Sequence, residues 1–179
     1  VSREYFRRKA DLEHADMVAH GTRNVMLSLW CRPADKDGKF DIKWDAFAEK
    51  VAMWRKHGFR GPMVMGINSG GVYAKYMKES FGSHLRAVKD PPEEFSREIT
   101  AMVNAIEAGR KERGWPEFLY YPVDEPGIDP ASVNFMVKVL KACKAAGVRT
   151  YVTADPTHEQ FEPLRPFIDV WSTQPFAPD

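Results

Sequence analysis

The stretch ERGWPEFLYYPVDE, residues 112–125, joins a charged helical segment to an apolar strand through a single glycine. Three other stretches repeat the phrase: AHGTRNVMLSLW (19–30), KHGFRGPMVMGIN (56–68) and AAGVRTYVTAD (145–155). Gly21, Gly58, Gly114 and Gly147 fit the left-handed position just past a helix end, where a Cβ would clash. A basic residue or His precedes three of them, which suits the negative end of a helix dipole. A fifth strand, expected at 167–172, follows a short helix without the glycine. The strands read as continuous apolar runs, the pattern of parallel strands covered on both faces. Helices between successive strands imply right-handed crossovers. The class is therefore α/β, either a doubly wound sheet or a barrel.

The helices carry start signals and apolar stripes. Asp90, Pro91 and Glu93 read as an acidic capping box, and Asp129–Pro130 opens the next helix. Phe95, Ile99, Met102, Val103 and Ile106 keep helical spacing, as do Val133, Met136, Val137, Leu140 and Cys143. Trp44, Phe47, Val51 and Trp54 form an earlier stripe. Periodicity of this kind marks core-facing surfaces. The junction glycines fall 37, 56 and 33 residues apart. The long interval holds two helical segments, about 72–81 and 92–113.

Composition bounds the function. Of 179 residues, 44% are hydrophobic and 28% charged, a globular balance. Lys and Arg total 26 against 25 Asp and Glu, for a net charge of +1, so no nucleic-acid partner is expected. No apolar run approaches the roughly 20 residues of a membrane helix. Cys31 and Cys143 are too few for a disulfide framework. The chain begins at Val1 with a basic helical pattern and no signal-peptide pattern, and localisation stays open.

Function gathers at the carboxyl ends of strands in both parallel architectures. Those positions are Trp30 and Cys31, then Asn68 to Gly71, then Asp124 and Glu125, then Asp155, then Trp171, Thr173 and Gln174. The sharpest is Asp124–Glu125, two adjacent acids after an apolar strand and before Pro126-Gly127. Successive strand side chains alternate faces, so both acids can reach one mouth only if the chain bends there. Pro122 and Pro126 favour such irregularity. Trp30 and Trp171 offer flat apolar faces, and Asn68, Asp155 and Gln174 offer polar groups, to a ligand bound at these strand ends. One of Tyr120 and Tyr121 faces inward. His158, between Thr157 and Gln160, reads as first-turn scaffolding.

The YPVDEP segment (121–126) at a strand end resembles the catalytic barrel of glycoside hydrolase family 123. An HG-terminated helix before an earlier strand and the IDVWSTQPF segment (168–176) carry the likeness further. The resemblance implies a (β/α)8 barrel whose fourth strand ends in an Asp-Glu pair. It implies hydrolysis of β-linked N-acetylhexosamine, N-acetylgalactosamine-like, by a substrate-assisted retaining mechanism. Glu125 is then the acid/base, and Asp124 holds the 2-acetamido group. Tyr121, with Trp30, Asn68, Asp155, Trp171 and Gln174, is expected to line the substrate site. A carbohydrate is the expected partner, with no cofactor or metal; localisation stays open, an extracytoplasmic one being in keeping with the likeness.

Two adjacent carboxylates suit this chemistry. An ordinary retaining pair flanks the sugar with its carboxyl groups ~5 Å apart, whereas a substrate-assisted enzyme needs no nucleophile of its own. Alternatives are a metal-dependent barrel lyase or isomerase using Asp124, Glu125, Asp155 and His158, and a non-catalytic carbohydrate-binding or scaffold piece. The INSGG segment (67–71) before a helix lacks the GK[ST] ending of a P-loop.

Complete barrels of this kind need eight strands in about 250 residues. Five are legible here, and by resemblance they are the second to sixth. The expected architecture for residues 1–179 is thus a partial TIM (β/α)8 barrel: one incomplete domain with about five parallel strands and intervening helices. Its open sheet edges would meet the remainder of the barrel or another chain.

Overall fold

A computed structural model describes residues 2–67, 72–76 and 90–173. It alternates helices and strands: α1 (Arg3–Ala19), β1 (Met26–Ser28), α2 (Trp44–Lys56), β2 (Met63–Gly66), α3 (Val72–Tyr76), α4 (Glu93–Glu112), β3 (Phe118–Tyr121), α5 (Pro130–Ala145), β4 (Arg149–Thr153) and β5 (Val170–Ser172). A 3₁₀ segment, Glu159–Phe167, precedes β5 and contains Pro163 and Pro166. These two residues lack the N–H that a longer α-helix would need.

All four strand pairings are parallel, and spatial order equals chain order, β1-β2-β3-β4-β5. A doubly wound sheet reverses its order at a switch point. No reversal occurs among the described strands, so the choice left open by the sequence falls to the barrel-like winding.

The register sorts side chains onto two faces. Leu27 pairs with Met65, Met65 with Tyr120, Tyr120 with Thr150, and Val152 with Trp171. This face joins the stripes of α2, α4 and α5 in one core, where Met65, Tyr120, Thr150 and Val152 are fully buried. The other face carries Met26, Ser28, Val64, Gly66, Leu119, Tyr121, Tyr151 and Thr153. It is less covered toward β1, where Met26 is 53% exposed.

All three stripes expected from the sequence lie against this core. Asp129 caps α5, accepting the Ala131 and Ser132 N–H groups at 3.1 and 3.0 Å. The four junction glycines have φ of +88°, +73°, +59° and +73°. Asp90 differs from expectation. Pro92 is the N-cap of α4, and Asp90 instead pairs with Lys138 of α5 at 2.8 Å. Two successive prolines hold the chain extended until Glu93, two residues later than the capping-box reading.

Candidate active site at the end of strand β3

Strand β3 is buried at all four positions, and its pleat separates the two tyrosines. The Tyr120 hydroxyl donates to Glu107 of α4 at 3.1 Å, on the helix side. Tyr121 points to the opposite face. Its ring meets Tyr151 of β4 edge-on, with centroids 5.2 Å apart.

Beyond Tyr121 the chain bends. Val123 remains in the core, Asp124 and Glu125 are exposed, and Pro126 is buried again. Glu125 has φ +42°, the only described non-glycine residue with positive φ. A side chain in this region costs on the order of 1–3 kcal/mol, which surrounding structure must hold. Gly127 completes the turn against the start of α5. A Cβ there would lie 2.9 Å from Ser132 Oγ and 3.0 Å from Asp129 Oδ2. The bend expected from the two prolines is thus a left-handed step at Glu125 followed by a close approach at Gly127.

The turn brings three oxygen groups together. The Tyr121 hydroxyl donates to Asp124 Oδ1. Thr153, at the end of β4, has its hydroxyl 3.2 Å from the same Oδ1 and 2.5 Å from the Tyr121 oxygen. Thr153 Oγ1 also accepts the Glu125 backbone N–H at 3.2 Å. Burial pushes the Tyr121 hydroxyl above its usual pKa, and the Asp124 carboxylate adds to the rise. Tyr121 therefore stays a neutral donor across the physiological range. Among the described residues, neither Asp124 Oδ2 nor the Glu125 carboxylate has a hydrogen-bond or ion-pair partner. One acid is tethered by one oxygen; the other extends from a strained backbone into solvent.

The remaining site residues are spread more widely. Trp30 continues the β1 alternation onto the Tyr121 face and is 41% exposed. Arg32 and Lys43 flank its ring at 4.8 and 5.6 Å from the centroid. Asp155 Oδ1 accepts from the Thr157 backbone N–H at 2.8 Å and hydroxyl at 2.7 Å, and these bonds hold its carboxyl below the usual range. That carboxylate builds the turn into the 3₁₀ segment. His158 makes no capping bond and packs edge-on to Phe161 at 5.7 Å. Trp171 lies beside Val152 and packs on the core, so its ring is on the helix side and not at the mouth. Asn68, the INSGG glycines and Gln174 lie outside the described residues.

Thr153 is the residue that sequence reasoning missed. Its signal was present: in TYVTAD it stands two residues after Tyr151, hence on the same face, at the last position before the strand-end polar group. Among the described residues, no three His, Cys, Asp or Glu side chains converge as a metal site. None of these site residues lines the cleft of about 490 Å³ between the loop before α2 and α4, which is walled by Phe40, Ile42, Trp44 and Gly109. No described helix is long and apolar enough to cross a membrane. In comparisons with known family models, curated proteins and solved structures, the chain matches none.

Proposed function

We propose that Asp124 and Glu125 form the catalytic pair of a glycoside hydrolase acting on β-linked N-acetylhexosamine, N-acetylgalactosamine-like, with the substrate's acetamido oxygen as nucleophile. The observation that carries this reading is the asymmetry of the pair. Asp124 is tethered through Oδ1 by Tyr121, and among the described residues its Oδ2 and the Glu125 carboxylate have no partner, Glu125 standing on a left-handed backbone. Strained backbone that persists beside ionisable groups at a strand end is a mark of functional sites.

The chemistry then divides between the two acids. Glu125 protonates the departing glycosidic oxygen as the bond to the anomeric carbon breaks. The acetamido oxygen closes on that carbon, an intramolecular attack with a high effective concentration. Asp124 Oδ2 accepts the acetamido N–H and offsets the positive charge developing in the five-membered ring. Glu125, now a carboxylate, takes a proton from the water that opens the ring, so configuration is retained. Trp30 stands on the same sheet face two strands away, roughly 10 Å at the usual strand spacing, where a neighbouring sugar would stack.

The test is hydrolysis of an aryl β-N-acetylgalactosaminide by the full-length protein. Glu125→Gln and Asp124→Asn are each expected to lose about 10²-fold or more in kcat. A thiazoline analogue of the sugar should inhibit competitively. Undiminished turnover in both variants would sink the assignment.

A further inference from the structure

We infer that Thr153 is the positioning residue of the acid pair, a single hydroxyl on β4 that orders both Asp124 and the Glu125 peptide. The inference rests on the catalytic reading of the pair, and it extends that reading to a residue on a different strand. Asp124 and Glu125 are neighbours in the chain, so any rotation of their shared peptide moves both carboxylates at once. Such a pair needs a fixed point outside its own turn.

Thr153 supplies it from both sides of that peptide. Its oxygen accepts the Glu125 N–H at 3.2 Å, and its hydroxyl lies 3.2 Å from Asp124 Oδ1. Tyr121 closes the ring, because its hydroxyl reaches both Asp124 and Thr153. Thr153 itself is firmly placed: it pairs in register with Ser172 of β5, and the next residue's N–H bonds Ser172 O at 3.1 Å. The left-handed step at Glu125 is therefore tied to the sheet and not only to its own loop.

Serine at this position keeps the oxygen and its proton, whereas valine keeps the shape and removes both. Two measurements on Thr153→Val and Thr153→Ser separate the possibilities. The first is hydrogen exchange at the Glu125 amide, which needs no substrate. Thr153→Val should speed exchange about tenfold or more while the melting transition stays cooperative, and Thr153→Ser should keep most of the protection. The second is kinetics on the aryl glycoside. Thr153→Val should lower kcat by about 10- to 100-fold with KM changed less than about threefold, and Thr153→Ser should restore most of kcat.

Unchanged exchange in Thr153→Val overturns the positioning role, whatever the activity shows. The same holds if serine behaves like valine in both measurements, because packing would then explain the loss. If exchange responds as expected but the unsubstituted protein hydrolyses no glycoside, the positioning of the turn stands and the glycosidase reading fails.

Discussion

The Tyr121 hydroxyl donates to the Asp124 carboxylate from three residues earlier in the chain, across the bend that ends β3. The ring beneath that hydroxyl is only 4% exposed and packs edge-on to Tyr151. Tyr121→Phe should therefore leave the packing intact while removing one bond to a charged group. The expected cost is about 1–3 kcal/mol of stability in urea titration. Under the proposed glycosidase reading, a roughly tenfold fall in kcat with KM little changed should accompany it, because the Asp124 carboxylate loses its fixed orientation. A large rise in KM with kcat intact would instead put Tyr121 in contact with the sugar.

Trp44 lies against the backbone of α4 at Gly109. A Cβ added there would fall 2.2 Å from Trp44 Cζ2 and 2.6 Å from Cη2. Two effects oppose one another. Alanine in a helix interior is favoured over glycine by ~1 kcal/mol. Displacing a packed indole costs about 1–3 kcal/mol, and this one also holds the Arg113 guanidinium 4.5 Å above its ring. Overpacking should win, so Gly109→Ala lowers the urea midpoint. A higher midpoint would show that Trp44 swings away at little cost.

Much of this arrangement was legible, and the illegible parts share a cause. The helix stripes and the glycine junctions are local signals, and the residues that carry them occupy the expected places. Strand order is not local: nothing within VMLSLW or FLYYPVDE says which strand lies beside it, so the residues alone left barrel and doubly wound sheet open, and only the family resemblance favoured the partial barrel before the pairing was seen. The same holds for Tyr120 and Tyr121. Alternation separates them, but only register with β2 and β4 says which one faces the helices. Trp171 was placed at the mouth for want of that parity. Asp124–Glu125 stood out because two acids after an apolar run are conspicuous. The left-handed step at Glu125 was not, since a glutamate carries no mark of positive φ and the step is held by Thr153, 28 residues away in sequence.

Asp129 sits between the Asp124–Glu125 turn and α5, as the N-cap of that helix. Its carboxylate accepts from the Ala131 and Ser132 N–H groups and from the Ser132 hydroxyl, and these bonds lower its pKa. Removing an N-cap of this type costs about 1 kcal/mol, so Asp129→Ala should destabilise by that order in urea titration. Asp129→Asn keeps a capping oxygen and should cost less at neutral pH. Because the folded carboxyl holds its proton less tightly than the unfolded one, its stabilisation is present above the unfolded value near 3.8 and is lost as pH falls through the folded value. The asparagine variant should therefore show a shallower loss of stability on acidification below about pH 5. Identical acid profiles would mean that the carboxylate's charge does not matter at this cap.

Alkaline pH probes the core beneath the site. Burial pushes the Cys143 thiol up to about 12 from an ordinary value of 9.0, and Tyr73 and Tyr120 beside the same core are also raised by burial. Between these limits the unfolded chain releases the thiol proton while the folded chain keeps it. Stability is thus whole below pH 9 and falls as pH rises, by at most about 1.4 kcal/mol per pH unit for this thiol. The tyrosines add to the decline once the pH passes about 10, where unfolded phenols ionise. Cys143→Ala opens a small cavity and should lower stability at neutral pH by about 1 kcal/mol. Its urea midpoint should nevertheless decline less steeply than that of the unsubstituted protein between about pH 9 and 10.5, because one proton release has been removed. Parallel slopes for the two proteins over that interval would show that the Cys143 thiol ionises alike in the folded and unfolded states.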